Sequence, residues 1–293
     1  MNVRIIANPV AGGGRGRRMA EALQDYLRGK VGEVELVLTK QAGDNEPEAA
    51  RPGADIVVAV GGDGSINEVV NGLRESEAAL AILPAGTANV VARELGIPTD
   101  PEAVGAMICD GHFRDMDAGV RDGRRFMLGA GAGLDAAIAE SVSQQRGRKS
   151  SLSKWVGPSI KTILRYSFPA FRVVADDEVI CEAGQYAIIG NCRYSAGVFP
   201  ATPEAKIDDG LLDICILQNL NPLRLIGLLP SVRTGRHIRR KDVIYRQFRS
   251  LELSPVSDER VPFQVDGDPG GQLPVSVCVE PKAVRVIAPR LTV

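Results

Sequence analysis

Histidine is almost missing from this chain of 293 residues. Only His112 and His237 occur, far apart and without companion ligands, which argues against a His/Cys zinc centre. The five cysteines (Cys109, Cys181, Cys192, Cys215, Cys278) include no Cys-x-x-Cys pair, and most sit in apolar runs. They read as small buried hydrophobes in a reducing cytosol. An excess of one charge is also lacking. Lys+Arg number 35 against 36 Asp+Glu, a net charge of -1, so the global basic footprint of a nucleic-acid binder is absent. No stretch approaches the ~18 consecutive apolar residues of a membrane span. Met1 leads straight into the apolar run Val3–Ala7 without the charged and apolar regions of a secretory leader. The expectation is a soluble cytoplasmic protein that meets any lipid from the water side.

What is present is a globular composition, 44% hydrophobic and 24% charged, at a length that suits two domains. Over residues 1–120, strand-like runs (Val3–Ala7, Val34–Leu38, Ile56–Val60, Leu80–Leu83) alternate with helix-like ones (Gly16–Arg28, Asn67–Arg74, Ala88–Leu95). That alternation predicts a three-layer α/β domain with a mostly parallel sheet, whose ligands bind beyond the carboxyl ends of the strands. Residues 121–293 read as a β-rich sandwich or barrel, with the last strand able to return to the first domain. Strand-like pieces (Arg124–Leu128, Phe171–Val174, Tyr186–Gly190, Leu212–Leu217, Ser250–Leu253, Val275–Val279, Ala283–Ala288) are punctuated by Asp-Gly turns at 122, 209 and 266. Two helices interrupt them, Lys154–Tyr166 and Pro222–Thr234.

The strongest chemical signal is Gly61-Gly62-Asp63-Gly64-Ser65-Ile66-Asn67-Glu68, where an apolar strand enters a glycine-rich turn that opens a helix. Such a turn aims backbone N–H groups and the helix dipole at a phosphate. A bare carboxylate at Asp63 repels phosphate, so it implies an intervening divalent cation or water. Ser65-x-x-Glu68 is also a capping-box pattern. Asn8-Pro9-Val10-Ala11-Gly12-Gly13-Gly14, followed by Arg15, Arg17 and Arg18, and Pro84-Ala85-Gly86-Thr87-Ala88-Asn89 are two further turns of this kind, each after a strand. Three together point to a nucleotide. No Gly-x-x-x-x-Gly-Lys-Ser/Thr loop exists. Gly131-Ala132-Gly133-Leu134-Asp135-Ala136 mimics a dinucleotide turn, but the acidic ribose partner expected ~20 residues on is replaced by Trp155 and Val156. Acidic residues gather in Lys206-Ile207-Asp208-Asp209-Gly210-Leu211-Leu212-Asp213 and in Val265-Asp266-Gly267-Asp268. Phosphoryl transfer to an alcohol needs a carboxylate to orient or deprotonate the hydroxyl. Asp266 and Asp268, two apart, would share one face of an extended strand.

Taken in order, these motifs resemble the diacylglycerol kinase catalytic-domain family, especially the soluble bacterial lipid kinases related to sphingosine kinases, and more remotely NAD kinases and phosphofructokinases. The resemblance spans nearly the whole chain. It implies an ATP-dependent kinase of diacylglycerol or a related lipid alcohol, with an NAD kinase-like nucleotide domain, a β-rich second domain and the active site in the cleft between them. It further implies that Asn8, Pro9, Val10, Ala11, Gly12, Thr39, Gly62 to Glu68 and Thr87 line the ATP site. Lys206 and Leu211 (through carbonyls) and Asp209 would hold Mg²⁺, Asp63 and Asp117 would join an acidic water-linked network, and Asp268 would be the base, with Asp266 as its substitute. The chain departs from the family pattern at Ser65 (often Thr), at Val90 (commonly Asp) and at Asp268 (often Glu). The alternatives are a soluble NAD or sugar kinase, or a nucleotide-binding module without turnover. Leu152–Phe171, with its aromatic residues and the preceding Arg146, Arg148 and Lys149, reads equally as an interfacial docking helix or a core helix. The basic stretch Arg233–Arg249 reads as facing anionic lipid heads or as a solvated surface. The resemblance favours peripheral membrane contact, and a homodimer is a further expectation.

Overall fold

The computed structural model describes residues 1–143, 161–194 and 199–290. The chain divides into two compact units, Met1–Ala118 with Glu280–Val293, and Gly119–Val279. Among the described residues no helix is long and apolar enough to cross a membrane.

In the first unit the order is β1 (Val3–Ala7), α1 (Ala11–Leu27), β2 (Val34–Leu38), α2 (Asn45–Ala50), β3 (Ile56–Gly61), α3 (Asp63–Gly72), β4 (Ala79–Pro84), α4 (Val90–Glu94), α5 (Pro101–Asp110) and the start of β5 (Phe113–Arg121). β1, β3 and β4 are buried at every residue, so their near-continuous apolar runs are those of a parallel sheet covered on both faces. Their order is β2-β1-β3-β4, all parallel, with Val286 of the last strand beside Leu80. Helix α1 packs through Gly16, Ala20, Leu23 and Leu27. Gly16 admits no side chain, because a Cβ there would lie 2.2 Å from the carbonyl oxygen of Asn8. Each buried leucine or isoleucine of this core contributes about 1.5–3 kcal/mol. Arg4, buried in β1, ties the sheet to the end of α2. It meets Glu35 at 2.7 Å and donates to the carbonyls of Arg51 and Pro52 at 2.6 and 3.0 Å. The Arg4 hydrogen bond holds the Glu35 carboxyl below its usual value.

The second unit contains β6 (Arg124–Phe126), β7 (Gly129–Ala132), α6 (Leu134–Ser143), β8 (Phe171–Ala175), β9 (Glu178–Gly184), β10 (Tyr186–Gly190), β11 (Leu212–Leu217), α7 (Pro222–Arg233), β12 (Val243–Phe248), β13 (Ser250–Pro255), β14 (Pro262–Val265), β15 (Asp268–Gln272) and the start of β16 (Val275–Ile287). One antiparallel sheet runs β12-β11-β10-β7-β14-β15, and β16 pairs with β13, which pairs with β8 and then β9. Phe126, Phe171, Phe248 and Phe263 fill the core together with Ile189 and Ile214. This is the two-domain α/β and β-sandwich architecture that the sequence implied.

The Gly131–Ala136 segment, already disfavoured as a dinucleotide turn, has a different setting, and two local expectations are corrected. β7 is antiparallel to both β10 and β14, and a Cβ at Gly131 would strike the Asp135 carboxylate. The two strands expected at 275–279 and 283–288 are one strand, β16. Of the expected helix Lys154–Tyr166, residues 154–160 lie outside the described residues, as do Arg146, Arg148, Lys149 and Leu152, while 161–165 are helical.

Candidate active site

The three glycine turns leave the carboxyl ends of β1, β3 and β4, which are neighbours in the sheet. They are sealed to one another by backbone. The N–H groups of Ala85 and Gly86 donate to the carbonyl of Gly61 at 2.8 and 3.2 Å, and that of Asn8 to Val60 at 3.0 Å. A Cβ on Gly12 would come within 2.2 Å of the Ala85 carbonyl oxygen, and one on Gly86 within 2.5 Å of the Gly62 Cα. Gly12 also has a φ of 57°, a left-handed conformation that glycine adopts without strain. Gly62 is the N-cap of α3, so the first N–H groups of that helix have no intrahelical partner. Gly13, Gly14, Gly64 and Thr87 are exposed, as is Val10, while Pro9, Ala11 and Asn67 are half-buried and Ile66 is in the core. A Cβ on Gly64 would meet nothing within 4 Å. Thr39, buried, closes the end of β2 onto the Ala7 carbonyl through its N–H at 3.0 Å and its hydroxyl at 3.3 Å.

Asp63 has a hydrogen-bond partner, distant in sequence, that sequence reasoning missed. Its Oδ1 accepts the N–H of Val91 at 3.3 Å, and the N–H groups of Asn89 and Val90 also face it. The carboxylate therefore sits on the N-terminus of α4. Burial raises its pKa and these N–H groups oppose the rise. The capping-box expectation fails too. Glu68 turns away from the start of α3 and accepts from the N–H of Gly43 at 2.9 Å and from Asn45 Nδ2 at 2.5 Å, fastening α3 to α2. Ser65 instead packs against Gly61, whose Cβ would lie 2.5 Å from its Oγ. Arg15 donates to the Gly12 carbonyl and Arg17 pairs with Glu21, which leaves exposed Arg18 without an ion pair among the described residues. Asp117 is buried and accepts the N–H of Lys282 at 2.8 Å, a residue at φ 53° inside β16.

In the second unit Asp266 and Gly267 form a two-residue hairpin turn, with φ values of 50° and 86° and Val265 paired to Asp268. Asp266 is thus no strand residue, and the alternation that would put it on one face with Asp268 does not apply. Its carboxylate accepts the N–H groups of Met127, Leu128 and Gly129 at 3.0, 2.9 and 3.0 Å, which makes it a clamp for β7 rather than a free base. Asp268 opens β15 and is exposed. The turn is held from below by Gln264, whose Oε1 accepts the Gly267 N–H at 2.8 Å while its Nε2 donates to the buried Asp135 at 2.9 Å. Burial raises Asp135 to about 6. Arg121 supports the same strand from the Phe263 ring by donating to the Gly270 carbonyl. Nothing in the local sequence announces Gln264 or Asp135, because their partners are long-range.

The other acidic turn is built around Asp209, which is exposed and accepts the Leu211 N–H at 3.1 Å. Gln247 Nε2 reaches both Asp209 and Asp213, at 3.3 and 3.5 Å, and the Tyr245 hydroxyl donates to Asp213 at 2.7 Å. Burial raises the Asp213 pKa, and the Asp209 and Glu204 charges add to that rise. Among the described residues no group of three or more His, Cys, Asp and Glu gathers as metal ligands. The Lys206, Asp209 and Leu211 set would thus consist of one carboxylate and two carbonyls, hard oxygen donors that suit a hydrated Mg²⁺. Asp213, Gly190 and Gly129 are paired in register across β11, β10 and β7, and the Asp266 N–H bonds to Gly129. Both acidic turns therefore lie at one end of this sheet, three strand spacings apart, about 14 Å along the ladder.

Residues 2–120 match the family described as diacylglycerol kinase catalytic domain, and residues 129–288 the YegS C-terminal NAD kinase beta sandwich-like domain. Two curated relatives, both named diacylglycerol kinase, come from Staphylococcus saprophyticus and Staphylococcus carnosus. They are 30% and 29% identical over 298 residues, 98% of this chain and 95% of each relative. A crystal structure described as a putative diacylglycerol kinase from Bacillus anthracis superposes with a TM-score of 0.79 at 23% identity, covering 98% of this chain and 95% of that one. At that identity the superposition speaks for the fold alone. The family follows from the curated relatives and from the two matched segments in their order: the chain belongs to the diacylglycerol kinase catalytic-domain family.

Proposed function

We propose that this protein is an ATP-dependent lipid kinase that phosphorylates the hydroxyl of diacylglycerol or a related lipid alcohol. The observation that carries the reading is the sealed set of glycine turns at the carboxyl ends of β1, β3 and β4, whose outward positions 13, 14, 64 and 87 are exposed. Clustered N–H groups at a helix N-terminus bind phosphate oxygens. Asn8 to Gly12, Thr39, Gly62 to Glu68 and Thr87 form or brace this cradle. The names of the relatives supply the acceptor class.

Asp268 serves as the base, since it is exposed whereas the Asp266 oxygens are occupied by three N–H groups. It takes the proton of the lipid hydroxyl as the oxygen bonds to the γ-phosphorus and the bond to the β-phosphate breaks, releasing ADP. Lys206, Asp209 and Leu211 would hold Mg²⁺, which would supply positive charge that orders the Asp209 turn. The Gln264 bond to Gly267 keeps the base on a rigid turn, as positioning requires. The acceptor lies in a bilayer, which the enzyme meets peripherally from the cytoplasmic side.

Incubation with γ-labelled ATP and, separately, diacylglycerol in mixed micelles, NAD or a hexose phosphate tests the reading. Label is expected in the organic phase with diacylglycerol, and Asp268→Asn should reduce it at least a hundredfold. Label in NAD or the sugar, or ATP binding without transfer to any acceptor, would overturn it.

A further inference from the structure

Helix α7 carries apolar residues on its outward side as well as its inward one, which is unusual for a helix facing water. Only Leu228 is buried, with Leu225 and Val232 packed beside it against Cys215, Leu217 and Val243. At 100° per residue these residues share one face. The opposite face presents Leu223, Ile226 and Leu229, exposed by 82%, 60% and 50%, with Gly227 and Pro230 between them. A solvated helix puts charged groups there. Here the first charge on that face is Arg233, at the C-terminal end. Leu164, in the helical residues 161–165, is likewise 68% exposed, while its neighbours Ile163 and Tyr166 pack into the same cluster as Leu228.

The charge around this face has one sign. From Ile214 to Lys241 the sequence holds no Asp or Glu against six Lys and Arg. Arg224 and Arg240 are paired to Asp242. Arg233, Arg236, Arg239 and Lys241 are exposed and have no ion pair among the described residues. An apolar strip with a basic margin matches an anionic membrane surface, where the leucines enter the acyl boundary and the cations meet the head groups. A protein partner is matched less well, because it would have to bring acidic groups to each of four separate cations, whereas an anionic bilayer surface meets them all with one field.

We infer that the outward face of α7, with the basic segment 233–241, is the surface by which this protein docks on anionic lipid bilayers. The inference takes from the lipid-kinase reading only that the acceptor lies in a bilayer. Co-sedimentation with vesicles of phosphatidylcholine alone, or with a third phosphatidylglycerol, tests it without any turnover. The wild type should partition at least tenfold more strongly onto the anionic vesicles, and 0.5 M NaCl should weaken that partitioning severalfold. Leu223→Ser with Ile226→Ser should lower it at least tenfold, as should Arg236→Glu with Arg239→Glu, while thermal melts stay unchanged because all four side chains are exposed. A kinase assay on a short-chain, water-dispersed acceptor should not distinguish these variants from wild type, so a failed kinase reading leaves the partitioning result intact. Equal partitioning of wild type and variants would overturn the inference. So would a dimer, seen by sedimentation velocity, that Ile226→Ser dissolves, since the face would then be an interface between copies.

Discussion

Asp135→Asn separates a buried charge from the scaffold it occupies. The carboxylate lies beneath the Asp266-Gly267 hairpin, accepts from Ala136 N–H at 2.8 Å and Gln264 Nε2 at 2.9 Å, and its charge acts on Tyr166 and Tyr186. Two N–H donors and two tyrosines do not replace bulk water, so burial lifts its pKa from 3.8 to about 6. The folded state therefore holds this proton more tightly than the unfolded chain. The stability so contributed is complete below pH 3.8 and is lost as pH rises through 6. A difference of about two units corresponds to roughly 3 kcal/mol. Asparagine keeps the shape and one acceptor but turns an N–H group toward a donor, a fixed cost of about 1–2 kcal/mol. That cost does not vary with pH. Urea denaturation of both proteins from pH 4 to 7.5 should show the variant gaining on wild type by about 2.5 kcal/mol across the range. All other carboxyl groups cancel in the difference. A gap that stays flat between pH 4.5 and 7.5 would refute the idea that Asp135 is charged and desolvated in the folded state.

Gly64→Ala should fold normally and melt no lower than wild type, because its Cβ meets only open space, while ATP-dependent turnover falls at least tenfold. Equal turnover would remove Gly64 from the phosphate cradle. Gly86→Ala should instead lose about 1–3 kcal/mol in urea titrations, since the new Cβ must push the 62 and 86 loops apart. Asp266→Ala should cost about 3 kcal/mol or more by leaving three N–H groups without acceptors, whereas Asp268→Asn should leave stability unchanged and act on turnover. Millimolar Mg²⁺ should raise the melting temperature of wild type but not that of Asp209→Asn, and equal shifts would place the cation elsewhere.

Much of this was legible in the chain because it is local. Val3–Ala7, Val34–Leu38, Tyr186–Gly190 and Leu212–Leu217 are strands at the expected residues, since apolar runs bounded by turn residues leave little choice. The three glycine turns also declared themselves. What failed depended on distant partners. Glu68 had the spacing of a cap but found Asn45, and the N–H contacts of Asp63 at the start of α4 could not be foreseen. The Asp266-Gly267 turn was legible, but the shared face expected for Asp266 and Asp268 assumed a straight strand, and the left-handed hairpin turn sends the Asp266 carboxylate to three distant N–H groups instead. Glu280-Pro281-Lys282 looked like a break between strands, yet Asp117, far off in sequence, receives the Lys282 N–H and lets β16 run on. Helix α5 was simply overlooked, although Asp100 at its N-cap, Pro101 after it and Gly111 beyond its end are all local signals.

The division of β16 has a consequence for how the protein is made. The first unit consists of Met1–Ala118 and Glu280–Val293, so its sheet lacks the strand beside β4 until the entire second unit has left the ribosome. The second unit, one uninterrupted stretch, is synthesised entirely within that interval. For the time needed to translate it, β4 is an apolar strand with an open edge, the kind that recruits other chains. Nascent chains stopped after Val279 should accordingly be captured by holdase chaperones and aggregate on release, while chains extended through Ala288 should not.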